Sequence, residues 1–484
     1  MDKLTNSLWD HQRRAVDFMG HHPSCLLAMD MGTGKSRCIV EAVKKLQPKS
    51  RVLIICPRSV LGVWNPEFRK FYDGKVGKKG NPWDDLVVTT LDQNFSASRK
   101  ATLLEKLDQR FSDLELSATR VVVVNYESAV RPELLKYWNK YTWDLIVVDE
   151  SHRIKSATGS TSKAIAKLRG KRRVCLTGTP MPHSPLDMFG QARFLDPTVF
   201  GKGWTKFRSE YAVMGGYCVN GRPVQVKGFR NMDRFEKKCA EFTFQVKADD
   251  VLDLPERHHV VRRCSLPEKI RAGYERLEKD FVTWLESGEA VIASNVLDKL
   301  GKLMQYTSGH ARYDDDANRR IVEVVHNAKK DALQEILEDN DPGEPIVVFA
   351  LFTPDLDAIA EAAIASKRQC FELSGRRNEL KTWQDDTEGS VIAVQLQAGG
   401  VGISLVRSRI CCYYSMGFNL GDYEQSLARV HRPGQDRSVT YFHLTVPNSV
   451  DDQVYRALTS RKNVVDEVMR NVKSIEPETA ITEP

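Results

Sequence analysis

Nowhere does this chain set two of its ten cysteines at the C-x-x-C spacing. Their scatter, with one adjacent pair (Cys411, Cys412) inside an apolar run, argues against a zinc ribbon or a disulfide framework and for a reducing compartment. Missing too is any stretch approaching the ~18 apolar residues that a bilayer-spanning helix needs. The opening residues MDKLTNSLWDHQRR carry no apolar block of the kind that marks a secretory signal. A strong charge bias is also absent: a net charge of +7 permits a nucleic-acid partner without demanding one. The expectation is a soluble monomer of the cytoplasm, or of the nucleoid or nucleus, neither secreted nor membrane-bound. At 484 residues the chain is too long for one core, so two or three domains are expected.

What the sequence does hold is an alternation. The apolar runs CLLA (25–28), RVLIIC (51–56), LVVTT (86–90), RVVVVN (120–125), DLIVV (144–148) and RRVCLT (172–177) are separated by segments with helical spacing. Val/Ile/Leu runs without polar alternation suit strands covered on both faces, which predicts a parallel α/β sheet. Residues 201–250 are instead rich in Gly, aromatics and Lys/Arg, lack clean strand runs, and read as a surface insertion. DLPERHHVVRRCSLP (253–267) reads as an extended crossing segment, and residues 268–305 as helical. A second α/β pattern starts near His326 and runs through IVVFA, QCFELSG, SVIAVQL, RICCYYS and TYFHLTV to a helical tail.

Several stretches carry chemistry. MDMGTGKS (29–36) joins an apolar run to the helical pattern KSRCIVEAVKKL, the layout of a phosphate-binding loop with Met29 at the first glycine position. There backbone N–H groups at Gly32, Thr33 and Gly34 and the helix N-terminus cradle phosphates, Lys35 adds a charge, and the Ser36 hydroxyl suits magnesium. An ordinary glycine turn is the alternative. Asp149 and Glu150 end an apolar run, where parallel sheets bind ligands; acidic residues in a helix first turn would look the same. LTGTP (176–180) is a turn whose hydroxyls suit a relay. QLQAGGVGISL (395–405) leads to DYEQSLARVHRPGQ (422–435), which is predicted to set Gln425, Arg429 and Arg432 along one short helix. That basic helix could equally contact phosphates or solvent.

In this order the stretches LWDHQ (8–12), MDMGTGKS, LIICPRSVLGVWNPEF (53–68), VVVNYE (122–127), DESHRIKS (149–156), LTGTP, IVVFA, QAGGVGISL and EQSLARVHRPGQ resemble the motifs of Swi/Snf-type ATPases among the superfamily-two helicases and translocases. QARFLDP (191–197), LDLPER and HRPGQ resemble compact phage, bacterial and annealing-helicase members. The resemblance implies an α/β fold of two RecA-like parallel-sheet lobes in tandem, with helical insertions between them. Its layout is an ATP-binding lobe (1–200), an insertion (201–255) open to a protein partner, a crossing with a helical insertion (256–325), a second lobe (326–450) and a C-terminal brace (451–484). ATP and Mg²⁺ are the implied cofactors and sequence-tolerant duplex DNA the implied partner.

The resemblance also implies roles. Gln12 reads adenine, Gly32 to Ser36 hold the triphosphate, Asp149 and Ser36 hold Mg²⁺, and Glu150 acts on water. Arg429 and Arg432 act as arginine fingers, with Gln425 and Gly402 at the nucleotide. Arg58, Ser59, Tyr126, Gln397, Ala398 and Gly399 contact nucleic acid. Departures from the family pattern are His11, Met29, Thr33, Ser36 for Thr, Ser404 for Asn, and FNL (418–420) for Trp-Asn-Pro; none removes a catalytic group. A strand-separating DNA or RNA helicase, and a nucleic-acid-binding scaffold without turnover, are the alternatives.

Overall fold

The computed structural model describes residues 7–77, 84–92, 94–182, 184–219, 222–286, 293–314, 320–397 and 403–460. It divides into two compact units, 1–253 and 254–484. In the first, β1 (Ser24–Met29), β2 (Arg51–Cys56), β3 (Val76–Gly77), β4 (Leu86–Thr90), β5 (Thr119–Asn125), β6 (Trp143–Asp149) and β7 (Gly170–Thr177) form the parallel sheet that the apolar runs predict. Between β7 and the unit's last strand come β8 (Ala212–Val219) and β9 (Arg222–Phe229), an antiparallel pair, and then β10 (Thr243–Val246). The main sheet has the order β10-β1-β7-β6-β2-β5-β4-β3. Its central strands are buried almost end to end, as two-sided cover requires.

The 201–255 segment is therefore not a simple surface insertion. Its β10 pairs in parallel with β1, Met29 opposite Val246, and so flanks the phosphate-loop strand. Its aromatics serve the core: Phe207, Tyr211 and Phe235 are buried in one cluster with Phe200, and Phe207 lies 5.0 Å from both Phe200 and Tyr211. Only the β8–β9 pair stands apart from the main sheet, with Val213, Val226 and Phe229 exposed.

In the second unit, β11 (Arg257–Arg263), β14 (Ile346–Ala350), β15 (Cys370–Leu373), β16 (Val391–Gln395), β17 (Ile410–Tyr413) and β18 (Val439–Thr445) form a parallel sheet in the order β11-β18-β17-β14-β16-β15. β12 (His310–Asp314) and β13 (Arg320–Val324) form a separate antiparallel pair. The segment expected as a crossing thus contributes β11, an edge strand paired with β18 from Arg257 to Arg263. Of the stretch 268–305 expected to be helical, the described residues form the helices Glu268–Glu286 and Ala293–Ser308. Buried Arg368 gathers the sheet's lower loops: its guanidinium donates to the carbonyls of Leu337, Asn340, Asp341, Pro342, Glu344 and Gly389.

Candidate nucleotide site and basic cleft

All strands of the first sheet run parallel, so the ends of β1, β6 and β7 open on one edge. The loop Asp30–Gly34 leaves β1 there and enters helix α2 (Lys35–Lys44). Gly32 and Gly34 sit at φ 81° and 88°, a region that side chains rarely occupy. At Gly34 a Cβ would also meet Gln12 Nε2, so a side chain there would displace the carboxamide by which helix α1 (Asp10–His21) binds the loop. The Lys35 ammonium donates to the carbonyls of Met29 (2.7 Å) and Asp30 (3.2 Å). Met29 is the fully buried last residue of β1, which explains why a glycine is not needed there.

Helix α1 fixes the loop through Thr33, whose carbonyl accepts from Gln12 Nε2 (3.1 Å) and from His11 Nε2 (2.9 Å). A carbonyl cannot donate, so Nε2 of His11 carries the proton. The other end of Gln12 accepts from the Trp9 N–H. From the opposite side the segment after β10 contributes, with Ala248 N–H donating to Asp30 Oδ2 at 2.9 Å. His11 and β10 were not foreseen as loop supports.

Asp149 ends β6, beside Leu176 of β7, and is buried with Glu150. Burial and the neighbouring Glu150 carboxylate push the Asp149 carboxyl above the usual carboxylate range, with Lys35 pulling the other way. Glu150 stands at φ 52°, a strained backbone for a residue with a side chain. Its turn is tied down on several sides. Asp149 Oδ1 accepts from the Glu150 N–H, and the Tyr126 hydroxyl donates to the carbonyls of Asp149 (2.6 Å) and Glu150 (3.3 Å). His152 Nδ1 lies 3.4 Å from Glu150 Oε2 and 3.2 Å from Thr177 Oγ1, which in turn accepts from the Thr179 N–H. Tyr126, expected at the nucleic acid, is buried, and its hydroxyl braces the acidic turn.

Among the described residues no group of three or more His, Cys, Asp or Glu side chains could hold a metal. Mg²⁺ keeps waters and phosphate oxygens and takes only one or two protein oxygens. Ser36, in the first turn of α2, and Asp149 are hard oxygen donors of this kind.

Arg58, in the turn after β2, lines a cleft of about 650 Å³ with Lys100, Asn125, Ser128, Arg131 and two carboxylates, Glu127 and Glu133. Lys100 was missed by the sequence reading. It is buried on the helix Ala97–Asp113, its ammonium donates to Ser128 Oγ at 2.7 Å, and burial pulls its pKa down. Ser59 is exposed beside Arg58, and Gln397 is exposed past β16; Ala398, Gly399 and Gly402 lie outside the described residues.

In the second unit the helix Leu420–Val430 carries Gln425 and buried Arg429, but Arg432 lies beyond its end. The single helix expected for all three is corrected by Pro433, which disfavours helical backbone at the residue before it. Arg432 instead donates to the Ile403 carbonyl (3.2 Å), while Leu405 N–H donates to the Arg429 carbonyl and Gln435 donates to those of Val406 and Ser408. The two arginines are thus fixed to the 403–408 loop.

A family model described as SNF2-related domain matches residues 11–310. The chain is 29% identical over 384 residues to the protein p41 of Acyrthosiphon pisum secondary endosymbiont phage 1, covering 75% of this chain and 80% of that protein. It is 22% identical over 458 residues to an uncharacterized ATP-dependent helicase of Mycoplasma genitalium, covering 92% of this chain and 40% of the relative. The DNA repair and recombination protein RAD54-like of Drosophila ananassae is 22% identical over 548 residues, covering 98% and 64% respectively. The chain therefore spans less than two thirds of the length of these last two relatives. The solved Sulfolobus solfataricus SWI2/SNF2 ATPase core in complex with dsDNA aligns at 20% identity with a TM-score of 0.42, covering 96% of this chain and 93% of that one. With the family match extending over more than half of its length, this chain belongs to the SNF2-related family of nucleic-acid-dependent ATPases.

Proposed function

We propose that this protein is a DNA-stimulated ATPase that translocates along duplex DNA. One observation carries the reading: the glycine loop, the buried acidic turn and the basic cleft are built on one parallel sheet, at the ends of strands running the same way. In this reading Gly32, Thr33, Gly34 and Lys35 hold the triphosphate, and Gln12 couples adenine to the loop through Thr33. Ser36 and Asp149 hold Mg²⁺, which supplies charge neutralisation when bound. Glu150 orients the attacking water and takes its proton. Arg429 and Arg432, with Gln425 and Gly402, complete the site from the second unit, where guanidinium groups stabilise the γ-phosphate charge.

DNA phosphates contact Arg58 and Arg131 at this cleft, together with Ser59 and residues 397–399. Such contacts fix register without reading sequence, so binding is sequence-tolerant and weakens with salt. The exposed Val213, Val226 and Phe229 on the β8–β9 pair are the surface for a protein partner. The test is ATP turnover measured side by side with duplex, single-stranded DNA, fork and RNA. Duplex is expected to stimulate most, and Lys35→Ala to abolish turnover while duplex binding persists. Turnover that persists in Lys35→Ala removes the loop from the mechanism, and stimulation by RNA alone removes duplex DNA as the track.

A further inference from the structure

The helix Met188–Leu195 reads MFGQARFL, and every residue on it except Arg193 is buried. One polar side chain, Gln191, sits fully enclosed in this apolar surround. Its carboxamide is completely used. Oε1 accepts from Ser151 Oγ (2.7 Å), and Nε2 donates to the carbonyls of Pro180 (2.6 Å) and Asp187 (3.2 Å). Ser151 follows Glu150 directly, and Pro180 ends the LTGTP turn. At the preceding position, a Cβ on Gly190 would lie 2.0 Å from the Ile154 carbonyl, so the helix rests backbone to backbone on the 151–154 turn. A leucine would satisfy packing at 191, yet the chain keeps a group that costs desolvation unless every bond is made.

We propose that Gln191 is a positioning residue for hydrolysis: one carboxamide clips the turn bearing Glu150 to the Thr177–Pro180 turn, so that the two shift as one body. This rests on the assignment of Glu150 to water activation above. It adds a link that is separate from the His152–Thr177 contact and reaches the acidic turn from its far side. Because the clip acts on the geometry of the turn, its loss should lower the rate of the chemical step and leave ATP capture by the glycine loop intact.

Gln191→Leu, Ser151→Ala and the double variant test the clip in the full chain with saturating duplex DNA. Each single variant is expected to lower kcat about tenfold with KM for ATP unchanged within twofold. The double variant is expected to lose no more than Gln191→Leu alone, because that substitution already cuts the Ser151 bond. Amide hydrogen exchange gives a readout without turnover: Gln191→Leu should speed exchange in 150–154 and 177–180 together. Wild-type kcat in Gln191→Leu, multiplicative losses in the double variant, or faster exchange in only one of the two segments would overturn the proposal. Should Gln191→Leu fail to fold, Ser151→Ala carries both measurements alone. A wild-type chain without ATP turnover overturns the functional reading, and the exchange arm still decides whether the clip exists.

Discussion

Glu150 is the residue at which stability and activity pull apart. Its left-handed backbone (φ 52°) costs of order 1–3 kcal/mol, and its carboxylate is buried next to Asp149. Glu150→Gly removes both penalties, so its unfolding midpoint should be no lower than that of the wild type, although turnover disappears. Glu150→Gln keeps the shape and should lower kcat by about 10²–10⁴ with ATP affinity retained. Thermal melts and steady-state kinetics on the two variants check this; a Glu150→Gln variant turning over at the wild-type rate removes the residue from the chemistry. The acidic pair was legible because it ends an apolar strand, and the loop because glycines precede Lys35. What holds them was not. His11, Tyr126 and Gln191 meet the site through contacts 22, 23 and 40 residues away in sequence, and nothing in their own neighbourhoods announces such partners. Lys100 was hidden for the same reason: in sequence it is one more cation on an amphipathic helix.

Elements were legible where both faces of a strand are covered and obscure where only one neighbour exists. β1, β2, β5, β6 and β14 read directly as apolar runs, whereas TFQV (β10) and RHHVVRR (β11) did not read as strands. Both lie at sheet edges, where polar side chains are tolerated and charge guards the open edge. Inside the second sheet one buried junction ties several elements together. Asp355, near the start of the helix Thr353–Ala365, accepts from Ser415 Oγ at 2.5 Å and from the Phe352 N–H, with His310 Nδ1 3.4 Å from Oδ1. The Lys329–Asp451 pair faces the same region, each partner altering the Asp355 carboxyl. Burial pushes Asp355 from 3.8 up to about 7 despite the Ser415 and Lys329 contributions. A carboxyl raised on folding binds its proton more tightly in the folded state, so its contribution is fully present below pH 3.8 and fades as pH rises to about 7. Urea unfolding of the wild type and Asp355→Asn from pH 4 to pH 7.5 should show the variant losing less stability across that window, by about 2–4 kcal/mol. Parallel slopes for the two would mean that Asp355 titrates alike folded and unfolded.

The whole molecule divides its chemistry between two units that each have their own sheet and core, with the phosphate loop in the first and Arg429 and Arg432 in the second. In the reading proposed above, turnover needs residues of both units. Arg432→Ala should therefore leave the first unit's glycine loop able to bind ATP but lower turnover by about 10³-fold or more. Translocation along duplex DNA acts on phosphates and does not by itself unpair bases. The cleft lined by Arg58 and Arg131 also carries Glu127 and Glu133, and among its described lining residues the aromatic one is Phe95, with the Arg99 guanidinium 3.9 Å from its ring centre. Strand separation would call for stacking surfaces to receive the opened bases. The decisive comparison is displacement of a third strand from a triplex against unwinding of a forked duplex, with ATP and at matched salt. Triplex displacement without fork unwinding is expected, lost in Lys35→Ala and Arg432→Ala and weakened steeply as salt rises. Fork unwinding without triplex displacement would make the protein a strand-separating helicase, and would require the opened bases to be received somewhere other than the Arg58–Lys100 cleft.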